Sequence, residues 1–438
     1  MNSKWIEPAK IKLAVGSLRA YQWSLPFHIS SLMRSSSTDP QRKTKTLSPP
    51  RLSTLTIMAG VSAAATNIYL PMLPAIGADL GASPAVAQYV LTLFLAATAI
   101  SQLFIGPLAD RYGRRPVLLT TSTVFLLATL VCIFAPTIEI LLLGRIFQAV
   151  SAASIALSRA IIRDLYDRSK AASMIGYVTM AMAVIPMVSP TIGGYLGELF
   201  GWRAPFVLLF IAGSAMLSLI YLDLGETFTP TDATVSARIK DYFSLLREPM
   251  IWGYFMCSTL ASGAYFAFLG GAPFVGTEVV GVSPSTLGMY FMLVGIGYMI
   301  GNFISGRYSE RIGIESMMIY GGIVACVGVA AALYLMTNFP PKIGYLFYPV
   351  MLVGVGNGMT LPNANAGAVS VRPDLAGSAS GLGGFLQVGG GASLAALSGS
   401  LISVENQALP LYIVMFLTSL GAAVIAAIMF FQARSKAV

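Results

Sequence analysis

The chain has 438 residues, of which 56% are hydrophobic and 10% charged, with a formal net charge of +9. That is more apolar side chain than a soluble protein of this length can hide in its core, so an integral membrane protein is expected. Three cysteines, each in a different apolar stretch, and one histidine, His28, argue against a disulfide framework, a histidine relay in the membrane or a clustered metal site.

Residues 1–52 form a basic, Ser-rich tail punctuated by proline, expected to be largely disordered and cytoplasmic. The tail lacks the sustained apolar run of a cleaved signal peptide, and its unlikeness to the rest also fits a true start at Met33. Beyond it, apolar stretches of about 20 residues, the length of a bilayer-crossing helix, recur twelve times. They centre near Ala64, Ala97, Leu126, Ala152, Val184, Ile211, Ala261, Val294, Val327, Val355, Gly390 and Ile425. Backbone polar groups in lipid have to be satisfied within their own segment, so each stretch is read as a helix.

Lysine and arginine fall in alternate loops. Nine of the 27 lie at or before Arg51; Arg111, Arg114 and Arg115 follow the second span, Arg168 and Lys170 the fourth, Arg238, Lys240 and Arg247 the sixth. Arg307 and Arg311 follow the eighth, Arg372 the tenth, and Arg434 and Lys436 the twelfth, while the other loops hold only Arg203 and Lys342. The positive-inside rule then puts both termini and the central loop in the cytoplasm. The basic charge reports topology and gives no argument for a nucleic-acid partner.

The first span contains "ATNIYLP", which carries Asn67 and Tyr69 into the membrane. After the second span comes "GPLADRYGRR", where one acid and three arginines crowd into six residues. Asp110 can accept hydrogen bonds or face a helix N-terminus, and Arg111 and Arg115 can bind acidic side chains and lipid phosphates. Gly113 permits a tight turn. Asp164 and Asp167, in the next cytoplasmic loop, are the expected partners of Arg115.

The fourth span carries Arg145, Gln148 and Arg159. A charge inside the membrane costs at least about 2.5 kcal/mol, so these residues lead the search for function. The 14 residues between the two arginines are close to four helical turns, which predicts a shared face lining a central cavity. Every acid falls in a loop or at a span's edge, which makes that cavity net cationic. In the fifth span, "AVIPMVSPTIGG", Pro186 and Pro190 bend the helix, and Gly193 and Gly194 allow close packing.

A polar linker, residues 223–249, separates six spans in residues 53–222 from six in 250–432, and residues 433–438 form a last cytoplasmic tail. Within the linker, "IKDYFSLL" reads as a short interfacial helix. "GPLADRYG" at Gly106 returns as "GRYSERIG" at Gly306, with Glu310, Arg311 and Gly313 at the same spacing. This predicts an all-α fold of two pseudo-symmetric six-helix bundles with a site at the midplane. Tyr265 and Phe268 in the seventh span, with Asn363 and Asn365 beside Pro362 in the tenth, are expected on the other wall.

Together these motifs resemble the major facilitator superfamily, and within it the bicyclomycin and chloramphenicol resistance (Bcr/CflA) branch, over residues 53–432. The carriers include "NIYLPMLPAI", "QLFIGPLADRYGRRPVLL", "GRIFQA", "SRAIIRDLY", "SPTIGG", "GAYFAFLGGAPFV", "LPNANAGAVS" and "AGSASGLGGFLQ". The resemblance implies the twelve-helix major facilitator fold, a monomer among inner-membrane lipids. It implies export of small amphipathic compounds by alternating access in exchange for protons, with no cofactor or metal. It also implies gating by the Asp110 and Glu310 loops and an exporter motif at Pro186 to Gly194.

One departure bears on coupling. The family's aspartate, which would pair with Arg145, is here Asn67, which cannot titrate. Three consequences stay open: coupling through a peripheral carboxylate such as Asp110 or Glu139, exchange without protons, or an anionic or zwitterionic metabolite that neutralises Arg145 and Arg159. A non-transporting sensor or scaffold on the same fold is the alternative from another class. No nucleophile with its base and no phosphate loop points to an enzyme.

Overall fold

A computed structural model describes residues 50–166, 168–227, 235–401 and 408–435. The expected tail over residues 1–49, Asp167, Glu405 and Lys436 lie outside the described residues. Among the described residues the chain is helical, with no strand.

Ten helices are long and apolar enough to cross a membrane: Leu52–Asp79, Pro84–Tyr112, Arg114–Ile133, Ile138–Leu165, Met174–Phe200, Ala204–Asp223, Pro249–Val279, Pro284–Ile312, Ile314–Asn338 and Leu409–Gln432. They are the first to ninth and the twelfth of the expected spans. The tenth and eleventh, Met351–Val371 and Ala376–Leu401, are helices of 21 and 26 residues rich in Gly, Ser and Asn, and they fall below that apolar threshold. Their small residues suit helix contacts more than lipid contact.

The duplication extends well beyond the charged turn. The second and eighth spans are both 29 residues long, and both begin with Pro after a Ser whose hydroxyl accepts a backbone N–H, Ser83 from Val86 and Ser283 from Thr286. A left-handed glycine precedes each start, Gly81 (φ 62°) and Gly281 (φ 75°). Each ends on a glycine of the same shape, Gly113 (φ 93°, ψ 157°) and Gly313 (φ 90°, ψ 154°). The two helices are copies from cap to cap.

Two spans are interrupted. Pro71 and Pro74 cannot donate backbone hydrogen bonds, and the first span narrows to a 3₁₀ turn at Leu70–Met72. The fourth does so at Ala149–Ser151, where the Ser62 hydroxyl donates to the Ser151 carbonyl at 2.6 Å. A carbonyl released by the irregular turn thereby keeps a partner.

Among the described residues, the helices before the linker meet those after it along two seams, second span against eleventh and fifth against eighth. At the end away from Leu52, backbone packs on backbone: a Cβ on Gly194 would strike the Pro284 carbonyl, and one on Gly288 the Pro190 carbonyl. Polar contacts cross the seams there, from Thr191 Oγ1 to the Gly288 carbonyl (3.0 Å), from the Ser285 N–H to Glu198 Oε1 (2.8 Å) and from Gln88 Nε2 to the Ala395 carbonyl (2.8 Å). At the other end the linker forms a helix, Val235–Leu246, that contains the expected segment. Leu245 is buried in the second half, and the Tyr242 hydroxyl donates to the Leu103 carbonyl (3.3 Å) of the second span.

Candidate functional site

Between the two sets of helices lies a cavity of about 290 Å³. Its wall takes side chains at intervals of three and four: Met182, Pro186 and Pro190 from the fifth span, Ser262, Tyr265, Phe266 and Leu269 from the seventh, and Phe291, Val294 and Tyr298 from the eighth. Gly354, Asn357 and Leu361 come from the tenth span, Gln387 from the eleventh, and Thr66 and Asn67 from the first. One face of each helix therefore looks inward. Among the described residues no lining residue is charged. The expected cationic cavity is corrected to a neutral, amphipathic one with aromatic, thioether and hydrogen-bonding surface.

Arg145 explains part of the difference. It is fully buried inside the first half and absent from the cavity wall. Its Nε donates to the Val90 carbonyl (3.1 Å), Nη1 to the Ala65 carbonyl (3.1 Å) and to Gln148 Oε1, and Nη2 to the Tyr69 hydroxyl (2.8 Å). The guanidinium carbon also sits 4.2 Å from the Tyr69 ring centre and 4.0 Å from that of Phe94, in cation–π range. Gln148 passes the network on to Thr129 at 2.8 Å. Four spans are tied to one cation, so Tyr69, Arg145 and Gln148, read from sequence as cavity residues, form a hub behind the first span.

Asn67 does line the cavity. Its amide donates back to the Ala63 carbonyl at 3.4 Å, and its Oδ1 is buried with no hydrogen-bond partner. Arg159 lies one side chain behind the wall, with Nη2 3.5 Å from the sulfur of Met182 and Nε buried without a partner.

Other expected residues divide. Tyr265, Pro186 and Pro190 line the cavity. Phe268 instead packs edge-on against Phe291 (5.9 Å) and Phe347 (5.1 Å). Asn363 donates to Ser305 Oγ (2.8 Å) and the Met359 carbonyl (2.7 Å), and Asn365 is exposed outside the wall. Gly193 packs on the Ile68 carbonyl, Gly194 on the eighth span. Asn357, Tyr298, Thr66 and Ser262 were missed as candidates. Helical spacing could have found Asn357, which shares a face with Gly354 and Leu361, whereas Asn363 is rotated by about 120° from it.

At the charged turn, Arg114 is the centre. It is buried, with Nη1 2.7 Å from Asp110 Oδ1 and Nε 3.2 Å from Asp164 Oδ2. The expected Arg115–Asp164 pair is thus corrected: Arg115 donates instead to the Leu224 (2.6 Å) and Tyr221 (3.0 Å) carbonyls at the end of the sixth span. Those carbonyls lack intrahelical partners, and a guanidinium satisfies several at once. Glu226 accepts the N–H groups of Arg114 (2.9 Å) and Arg115 (3.2 Å), capping the third span at its positive end. Arg111 is exposed over the Tyr112 ring at 5.4 Å.

The second copy keeps the backbone and not the charge network. Ile314 and Glu315 stand where the first has Arg114 and Arg115, and among the described residues Glu310 and Arg311 are exposed and form no ion pair. A measurable asymmetry follows. Gly113→Ala is strained by its backbone angles and drives a Cβ into the Glu226 carboxylate, whereas at Gly313 the space is open. Gly113→Ala should lower stability by about 2–3 kcal/mol and Gly313→Ala by about 1–2 kcal/mol. Equal thermal unfolding midpoints in detergent would refute that ordering.

Among the described residues no three His, Cys, Asp or Glu side chains converge as a metal site would need. The family model for the Major Facilitator Superfamily matches residues 55–396. A Bacillus subtilis transporter, YdgK, is 33% identical over 377 residues, covering 83% of this chain and 90% of its own. The bicyclomycin resistance protein homolog of Haemophilus influenzae is 28% identical over 80% of this chain and 88% of its own, and the Escherichia coli multidrug resistance protein D 28% identical over 79% and 88%. A bacterial homolog of the lysosomal transporter Spinster, solved inward-facing and occupied, superposes with a TM-score of 0.69 at 18% identity, over 87% of this chain and 96% of that one. On the strength of the family match and of relatives aligned over nearly their whole length, the chain belongs to the major facilitator superfamily, as a multi-pass membrane transporter and not an enzyme.

Proposed function

We propose that this transporter exports small amphipathic compounds across the inner membrane by alternating access, with the cavity between residues 53–222 and 250–432 as the carrier site. The observation that carries the reading is the wall itself: aromatic and apolar surface with a few converging polar groups, which suits small amphipathic, drug-like molecules. The buried Asn67 Oδ1 offers an acceptor to such a ligand. The resistance names of the relatives favour outward movement, and the distribution of Lys and Arg favours cytoplasmic termini. In this reading the Asp110–Arg114–Asp164 cluster with Glu226 holds the cytoplasmic end of the first half. The contacts of Gly194 and Gly288 close the opposite end.

A second reading, exchange of one solute for another without protons, is favoured by one specific observation. Among the described residues no carboxylate lines the cavity, and Arg145 is held by carbonyls, an amide oxygen, a hydroxyl and ring faces instead of an acid. Both readings meet one experiment, flux of a chloramphenicol-like compound in proteoliposomes with an internal pH dye. Flux with no substrate-dependent pH change is expected, and Asn67→Asp should introduce one. A pH change in the unmutated protein would return coupling to Asp110 or Glu139, and no flux of any amphipathic compound would overturn export itself.

A further inference from the structure

Among the described residues, Arg159 is a cation within a span that the fold leaves unanswered. Arg145, 14 residues earlier on the same span, has four hydrogen bonds and two ring faces, whereas Arg159 has one sulfur contact. That contact, 3.5 Å to Met182, is to a weak acceptor, and Nε is buried with none. Among the described residues no carboxylate lies within ion-pair distance, and Arg163, one turn further on, carries the same sign. A guanidinium inside a membrane protein costs several kcal/mol unless paired, so such a group is retained for a partner that is not part of the chain.

Its position says where that partner would sit. Met182 separates Arg159 from the cavity and is itself a cavity residue. A methionine side chain is unbranched, with three rotatable bonds, so its swing would bring the guanidinium to the wall without moving a helix. The cavity would then offer a fixed acceptor, Asn67 Oδ1, and a forked donor, Arg159. A planar fork matches an oxyanion better than any neutral group.

We infer that Arg159 reads an oxyanion on the substrate, so that the preferred cargo is an amphipathic acid: an apolar or aromatic body bearing one carboxylate-like head. This rests on the export reading above and narrows it. The Tyr265 and Phe266 surface takes the body, and Arg159 takes the head.

The test uses the purified full-length chain in detergent, with two fluorescent probes that differ only in the head, dansylglycine and dansylglycinamide. The acid is expected to bind about tenfold or more tightly than the amide, the worth of a charge-assisted hydrogen bond. Arg159→Gln should bring that ratio to within about twofold, and Arg159→Lys, which keeps the charge without the fork, should leave it in between. An acid preference that persists in a monodisperse Arg159→Gln protein would overturn the inference while export stood, as would equal binding of the two probes by the unmutated protein. Binding of neither probe would overturn the inference and the amphipathic cavity reading together. An intermediate ratio in Arg159→Lys separates loss of the fork from misfolding of the Arg159→Gln protein.

Discussion

Arg145→Ala is expected to lower stability by about 3–5 kcal/mol and to abolish transport, the cost of removing one member of a buried charge network. The truncation strips the Val90 and Ala65 carbonyls, the Gln148 amide oxygen and the Tyr69 hydroxyl of a shared donor. It also opens a void between the rings of Tyr69 and Phe94. Individual hydrogen bonds between membrane helices average only about 0.6 kcal/mol, so most of the loss comes from the void and from several groups being orphaned at once. Insertion should survive, because topology is set by the loop cations. Arg145→Lys should recover part of the stability and little of the transport, since one ammonium cannot reach acceptors spread across three helices. The check pairs thermal unfolding in detergent with flux in proteoliposomes. A variant with an unchanged midpoint and normal flux would remove the hub from the account.

Gly194→Val is expected to act on conformation without touching the cavity. Its first carbon would meet the Pro284 carbonyl and the Ser285 Cα, backbone atoms with no rotamer to escape into. Overpacking of this kind costs about 1–3 kcal/mol, a shift of roughly five- to hundredfold against the closed arrangement of that end. Separation would also break the Thr191–Gly288 and Glu198–Ser285 hydrogen bonds. A cysteine placed at Thr66, in a background with Cys326 replaced, should then react faster with an impermeant maleimide added on the far side. Transport should fall with it. Unchanged labelling would mean that this seam does not close the cavity. Gly194→Ala should give a smaller effect of the same sign.

What could be read in advance follows physical lines. Span positions came from hydropathy, and the paired turns from glycines that no other residue replaces at φ near 90°. The tenth and eleventh spans were found by their apolar runs, although Gly, Ser and Asn weaken the signal. Arg145 and Arg159 were assigned one face by assuming a continuous helix. The 3₁₀ turn at Ala149–Ser151 advances about 120° per residue instead of 100°, so three such residues rotate the second arginine by about 60° relative to the first. Nothing local in "AVS" announces that turn. Arg114 was passed over for Arg115 because spacing cannot say which neighbour of a left-handed glycine faces inward, and Glu226 was invisible because its partner helix begins 112 residues earlier.

The paired helices ending at Gly113 and Gly313 have one more meaning. After a duplication, each copy drifts under whatever demand it still meets. Here both hold the same cap, length and closing angle, while among the described residues the buried arginine and its ion pairs belong to one alone. The geometry of the corner is therefore the requirement that the two halves share, set where each turns sharply, and the corner stands without the ion cluster in the second half. A molecule that looks two-fold from its backbone is, among the described residues, one-sided in its electrostatics.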